Sequence, residues 1–257
     1  MSKRKGAKRR RLADERAGVR VGSGHAEQIA AATVPYRAGQ RILVVGDGDL
    51  SWSRAVAEQC GGDGLAATVY DARSDVERKY GEAGLANIEA LGSAGATVLF
   101  GIDATAVDEC EQLATWRGAC AFVVFNFPHA AAGIKDEAEN ARLHRTLIRD
   151  ALRAAAPMLD PLAPSGAGEV HITLRRGRPY VGWAVPTLAD GIRGLRFARE
   201  RAFDPELYPG YTHRRTRGLA QTRPDASGTP NEHVTKGDGS VTYCFEVDRP
   251  APARIGG

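Results

Sequence analysis

The stretch Arg41-Ile-Leu-Val-Val-Gly-Asp-Gly-Asp-Leu-Ser-Trp-Ser53 decides the fold of this 257-residue chain. Ile42 to Val45 form a short apolar run, the signature of a strand buried on both faces. Gly46 and Gly48 then turn the chain sharply, and Ser51 is placed to cap a helix running from about Trp52 to Cys60. A strand, a glycine turn and a helix N-terminus in that order bring backbone amides close to a nucleotide-like ligand. A second strand, Ala67-Thr-Val-Tyr-Asp71, ends in a carboxylate 25 positions after Gly46, near the ~20 expected of a ribose-binding acid. The pattern predicts an adenosine-containing cofactor.

Outward from this core, strand and helix alternate. Strands are expected near 41–46, 66–71, 96–102, 120–126 and 168–175, with helices near 51–60, 74–93, 106–115 and 136–158 between them. The last helix is the clearest, with Leu143, Leu147, Ile148, Ala151, Leu152, Ala155 and Leu159 at helical spacing and Pro157 and Pro161 ending it. Such alternation predicts an α/β fold with a doubly wound, mostly parallel sheet. A helix near 186–193, a strand near 195–203 and a final strand over 241–247 come next, the last pairing antiparallel with 195–203. Thr222 to Ser240, rich in Gly, Pro, Asp, Asn and Thr, reads as a long loop. The division is a basic leader over 1–35, one domain over 36–250 and a tail over 251–257.

Charge is unevenly distributed. Of the formal net +4, residues 1–20 supply +7 and the remainder −3, with seven Lys/Arg among the first eleven positions. A block such as Lys3, Arg4, Lys5, Lys8, Arg9, Arg10 and Arg11 stays solvated, and it reads as a nuclear or nucleolar address, an RNA-phosphate arm or a solubilising extension. The four cysteines stand far apart without a C-x-x-C pair, which argues for a reducing compartment and against a metal site. No apolar run approaches the ~18 residues of a membrane span.

The chemistry-bearing positions cluster at strand ends. Against a nicotinamide dehydrogenase, the third glycine of G-x-G-x-x-G is replaced by Ser51. S-adenosylmethionine fits better, with close backbone approach at Gly46, Asp47 and Gly48. Asp71 then serves the ribose or caps the segment beginning at Ala72. Ile102 and Asp103 lie at the end of the third strand, where they contact an adenine or, for Asp103, cap the helix after it. The fourth strand, Phe122-Val-Val-Phe-Asn-Phe-Pro-His129, exits at the sheet edge that forms the ligand crevice. Asn126 offers an amide, Pro128 a rigidly held carbonyl and Phe127 a stacking face. Arginines interleaved with aromatics, at Arg175 to Tyr180 and Tyr208 to Arg215, suit RNA. The RNA-facing candidates are Arg175, Tyr180, Tyr211, His213, Arg214 and Arg215.

These blocks together resemble the Rossmann-like methyltransferases related to the eukaryotic 25S ribosomal RNA uridine-N3 methyltransferase. The matching pieces are Ile42 to Ser53, Ala67 to Asp71, Lys79-Tyr80 with Asn87-Ile88, and Ile102 to Thr105. Phe125 to His129, Gly168 to Leu174 with Pro179-Tyr180 and Trp183, and Tyr208 to Tyr211 with His213 to Thr216 complete a collinear set over roughly 40–218. The resemblance implies a seven-stranded methyltransferase sheet, S-adenosylmethionine as donor, and ribosomal RNA or a pre-ribosome as partner. A nuclear, nucleolar location is the expectation, with cytoplasm as the alternative. Catalytic candidates are Asn126, Pro128, His129 and Asp49, with His129 or Asp49 taking the imide proton; no metal or membrane is required. A module that binds RNA without catalysis is the rival reading.

Overall fold

The computed structural model describes residues 32–130, 132–213 and 239–248. Most of the basic leader, the loop from Thr222, the tail, and Arg214 and Arg215 lie outside the described residues. β1 (Ile42–Val44) pairs in parallel with β2 (Leu65–Val69) on one side and β4 (Phe122–Asn126) on the other. β3 (Thr97–Phe100) flanks β2, and β5 (Glu169–Arg175) flanks β4, both in parallel. β7 (Ser240–Val247) runs antiparallel between β5 and β6 (Leu195–Phe203). The sheet order is β3-β2-β1-β4-β5-β7-β6. It is the doubly wound, Rossmann-like seven-stranded sheet of the expectation, with one reversed strand. The chain starts at the centre, winds out to β3 and returns to β4, so the switch of direction falls between β1 and β4. A crevice opens there at the carboxyl ends of the strands.

Alternating residues of the buried strands feed two cores. Ile42, Val44, Phe122 and Val124 pack under α1 (Ser51–Cys60) and α2 (Arg73–Ser93). Leu43, Val45, Val123 and Phe125 pack against α3 (Glu137–Ala155) on the other face. α2 breaks at Gly81, whose φ of 56° leaves the helical region, so Lys79 and Tyr80 end its first half near the crevice. α3 is capped by Asp136, whose carboxylate accepts the Glu139 amide at 2.7 Å, the usual satisfaction of an orphan N–H.

Three local expectations are corrected. The helix expected over 106–115 is only a 3-10 turn, Glu111–Trp116, since so short a segment gains little from cooperative helix formation. The helix expected near 186–193 is a 3-10 turn, Val185–Thr187, followed by further turns; Gly191 at φ 77° leaves the helical region. Ser51 does not cap α1. Leu50 occupies the cap position at φ 64°, with no side-chain cap bond of its own, and the carboxylates of Asp47 and Asp49 serve the first amides instead.

A charged cluster is built into the sheet below β5. Glu169 and His171 point to the same side, both about 1% exposed. Glu169 bonds His171 Nε2 at 2.9 Å and receives Arg199 Nη2 at 2.8 and 3.0 Å on its two oxygens. Tyr36 Oη lies 3.0 Å from His171 Nδ1 and ties the approach to β1 onto β5. Burial opposes both charges, but the neighbours win: Cys244 and Glu169 push His171 up to about 9, while His171 and Arg199 hold Glu169 near 2. The Glu169 contribution to stability is therefore present above pH 4.5 and lost as pH falls towards 2. The His171 contribution is complete below pH 6.5 and lost as pH rises through about 9. Glu169→Gln, which takes the carboxylate from buried His171 while Arg199 keeps Glu246 beside it, should cost about 3–5 kcal/mol in denaturant unfolding. The gap between wild type and variant should shrink at both pH extremes. An equal gap at every pH would contradict this.

Candidate functional site

The loop between β1 and α1 is held by its own acidic residues. Gly46 turns at φ 67°, and a Cβ built there would lie 2.7 Å from the ring of Phe125. The Asp47 amide donates to the Thr68 carbonyl at 3.1 Å, fastening the loop to β2. Asp47 Oδ2 accepts Ser53 N–H at 2.8 Å and Ser53 Oγ at 2.6 Å. Asp49 Oδ1 accepts Ser51 N–H at 3.1 Å and Ser51 Oγ at 2.7 Å. Asn87 on α2 donates to the Asp49 carbonyl at 2.8 Å, which explains its place among the motif residues.

Across the crevice, β4 ends in Asn126, and Phe127 leaves the strand with φ 52°, a conformation that costs about 1–3 kcal/mol for a residue with a side chain. The turn is retained because its neighbours hold it. The Phe127 amide donates to the Thr173 carbonyl at 2.8 Å. Its ring packs edge-on against Phe203 at 5.6 Å and His213 at 4.3 Å. Both polar atoms of the Asn126 amide are buried without a hydrogen-bond partner among the described residues, an arrangement that costs about 1–3 kcal/mol unless a ligand completes it.

Between the two loops lies a cavity of about 410 Å³, within the range of small-ligand sites. Its floor is Gly46 to Asp49, and Asn126 to His129 form one wall. Leu174, Arg175 and Tyr180 rise from the end of β5, and Tyr211 to His213 close the opposite side. Thr212 is moored by its amide to Ser51 Oγ at 3.1 Å, and Tyr211 Oη meets His213 Nδ1 at 2.9 Å. Arg175, Tyr180, Tyr211 and His213, expected to face RNA, therefore share one chamber with Asp49, Asn126, Pro128 and His129, expected to serve catalysis. Tyr80 and Trp52 also line it; both stand within the motif pieces quoted above, though no site role is assigned to them there.

Three of the candidate cofactor residues do not reach this cavity. Asp71 holds Lys79 Nζ at 2.8 and 2.7 Å on its two oxygens rather than capping α2. Asp103 accepts the amide and hydroxyl of Thr105 at 2.8 and 2.7 Å. Ile102 is buried in the α3-side core. Asp71 and the third strand are nonetheless neighbours, since the Gly101 amide donates to the Asp71 carbonyl at 3.1 Å.

Burial drives the Asp47 carboxyl up to about 7, the charge of Asp49 adds to the effect, and the Ser53 bonds offset part of it. Two adjacent acids with one half-protonated at neutral pH, walled by aromatic rings, form a chamber that favours a cationic ligand. One grouping of metal-capable side chains occurs among the described residues, Glu169, His171 and Cys244. Arg199 bonds both oxygens of Glu169, and Tyr36 and Glu169 meet the two ring nitrogens of His171, so these groups form a charge network separate from the cavity. No described helix is long and apolar enough to cross a membrane.

The BMT5-like family model, described as rRNA (uridine-N3-)-methyltransferase BTM5-like, matches residues 43–215. The chain is 28% identical over 235 residues to the 25S rRNA (uridine(2634)-N(3))-methyltransferase of Saccharomyces cerevisiae, covering 74% of this chain and 70% of that protein. It is 30% identical over 187 residues to an uncharacterized protein of Arabidopsis thaliana, covering 71% and 85% respectively. Among solved structures, the 30S ribosomal A1408 methyltransferase from an uncultured bacterium aligns with a TM-score of 0.43 at 9% identity, over 82% of this chain and 88% of that one.

The acidic floor makes ligand affinity pH-dependent. A cation bound beside Asp47 keeps it ionised, so binding below about pH 7 must release a proton. Affinity for S-adenosylmethionine should fall on the order of tenfold from pH 8 to pH 6. The arbiter is Asp47→Asn, which should flatten the profile in calorimetry. A wild-type affinity that does not change with pH would contradict the role of the floor.

Proposed function

Because the chain belongs to the BMT5-like family of rRNA (uridine-N3-)-methyltransferases, with the family model matching residues 43–215, we propose that it methylates N3 of a uridine in large-subunit ribosomal RNA. It is an S-adenosylmethionine-dependent RNA methyltransferase. The observation that supports the choice of site is the Asn126 amide, buried with both polar atoms unpaired in the cavity between the glycine loop and the aromatic wall. That donor–acceptor pair matches the alternating acceptor and donor of a uracil edge.

The residues present fit the cofactor. Gly46 to Gly48 bring backbone to the cavity floor, Asp47 and Asp49 supply negative charge, and the aromatic walls suit a sulfonium. When bound, S-adenosylmethionine supplies an already electrophilic methyl group, so the protein's share of catalysis is alignment. In this reading Asp71 serves the ribose. Lys79 occupies one lone pair on each carboxylate oxygen, which leaves acceptor capacity for a hydroxyl pair. Ile102 and Asp103 at the neighbouring strand end are the adenine-side candidates.

Substrate chemistry falls to the other wall. Uridine N3 is a poor nucleophile until its imide proton leaves, so an acceptor must stand beside it. His129 and Asp49 both face the cavity and are the candidates, while Asn126 and the Pro128 carbonyl orient the base. Phe127, Tyr180 and Tyr211 offer faces on which an unstacked base can rest. Arg175 at the mouth, and Arg214 and Arg215 just beyond the described residues, are assigned to RNA phosphates. The basic run from Lys3 to Arg11 supports a nuclear, nucleolar site of action on a pre-ribosome.

Asn126→Ala separates this assignment from a packing role. It should lower the single-turnover rate on a uridine-containing ribosomal RNA fragment by about 1–3 kcal/mol, or roughly five- to 150-fold, with cofactor affinity unchanged. Retained turnover in the folded variant would remove Asn126 from the substrate site.

A further inference from the structure

The Asn126 to His129 turn needs two anchors, because Phe127 holds a left-handed conformation that the chain would otherwise relax. One is the Phe127 amide on the Thr173 carbonyl. The other comes from α3. The Ala130 amide donates to His144 Nε2 at 3.2 Å. His144 Nδ1 lies 2.8 Å from the Asn140 carbonyl oxygen. A carbonyl only accepts, so Nδ1 carries the hydrogen and Nε2 is the bare acceptor.

The ring is 1% exposed and stacks on Trp183 at 4.2 Å, with planes 8° apart. His129 meets its edge at 4.9 Å. The titratable groups facing it are His129 from the turn, Tyr180 behind Trp183, and Arg145 on α3, which donates to the Trp183 carbonyl at 3.0 Å. Burial lowers the imidazole pKa, with the Asn140 carbonyl opposing. Protonation would turn an N–H towards the Ala130 N–H and break the anchor.

We infer that His144 is a positioning residue: as a neutral, Nδ1-protonated imidazole it pins the strand-four turn to α3 and so holds Asn126 and His129 at the cavity wall. The catalytic consequence rests on the methyl-transfer reading given above; the anchor itself does not. The contact also explains why α3 bears on function, since the same helix grips the Tyr180–Trp183 turn on the far side through Arg145.

Two full-length variants test it. His144→Phe keeps the stack on Trp183 and removes the acceptor, whereas His144→Gln returns an oxygen near the position of Nε2. The first readout is NMR: imidazole nitrogen shifts report the tautomer, and exchange reports the Ala130 amide. Wild type should show the Nδ1–H form and a protected amide, with exchange at least about tenfold faster in His144→Phe and restored protection in His144→Gln. The second is single-turnover methylation. It should fall about ten- to hundredfold in His144→Phe, at unchanged cofactor affinity, and recover in His144→Gln. An Ala130 amide that exchanges alike in wild type and His144→Phe overturns the inference. So does a His144→Gln variant no better than His144→Phe in both readouts. If wild type itself transfers no methyl to RNA, the functional reading fails alone, and the exchange readout still decides the anchor.

Discussion

The close approach of the Gly46 backbone to the ring of Phe125 sets the geometry of the crevice. Parallel pairing of β1 with β4 places these residues side by side, and a Cβ at position 46 would come within 2.7 Å of the ring. With only hydrogen there, the glycine loop folds directly against the exit of β4. Asp47 and Asp49 then face Asn126 to His129 across a single cavity. A side chain at 46 would have to displace an aromatic that belongs to the α3-side core, and the two walls would separate.

Acidic residues in this loop carry two duties at once. Their oxygens satisfy the first amides of α1, a task the sequence assigns to a serine, and their charge fills the cavity floor. The duplication has a cost, visible in the rise of Asp47 to about 7, and a cationic ligand would recover it. Segments far apart in sequence report to the same loop: Asn87 from α2 on the Asp49 carbonyl, and Thr212 on Ser51. Ser51 thus links the glycine loop to the wall that bears Tyr211 and His213.

Much of the fold is legible because β1, β2 and β4 are buried on both faces and read as near-continuous apolar runs, with helices between them. Two segments depart from expectation. Around Ala106 to Thr115 and Pro186 to Arg193, apolar residues are spaced to pack one by one as turns, and composition alone does not distinguish that from a short helix. At the site, the strand-four turn and the glycine loop are legible from residue type and position. The meeting of Tyr211 and His213 with Asn126 to His129 in one chamber is not, since it depends on the Thr212–Ser51 contact across 161 positions. His144 is hidden for a similar reason: as a polar residue within the apolar period of α3 it carries no motif, and its partner is a backbone amide.

The most direct test of the account is nucleoside mass spectrometry of a ribosomal RNA fragment after incubation with the full chain and S-adenosylmethionine carrying a labelled methyl group. The label is expected in N3-methyluridine, at one position of the fragment. Label in another nucleoside would contradict the assignment of the Asn126 edge to uracil, and absence of label under conditions where the cofactor binds would contradict methyl transfer itself.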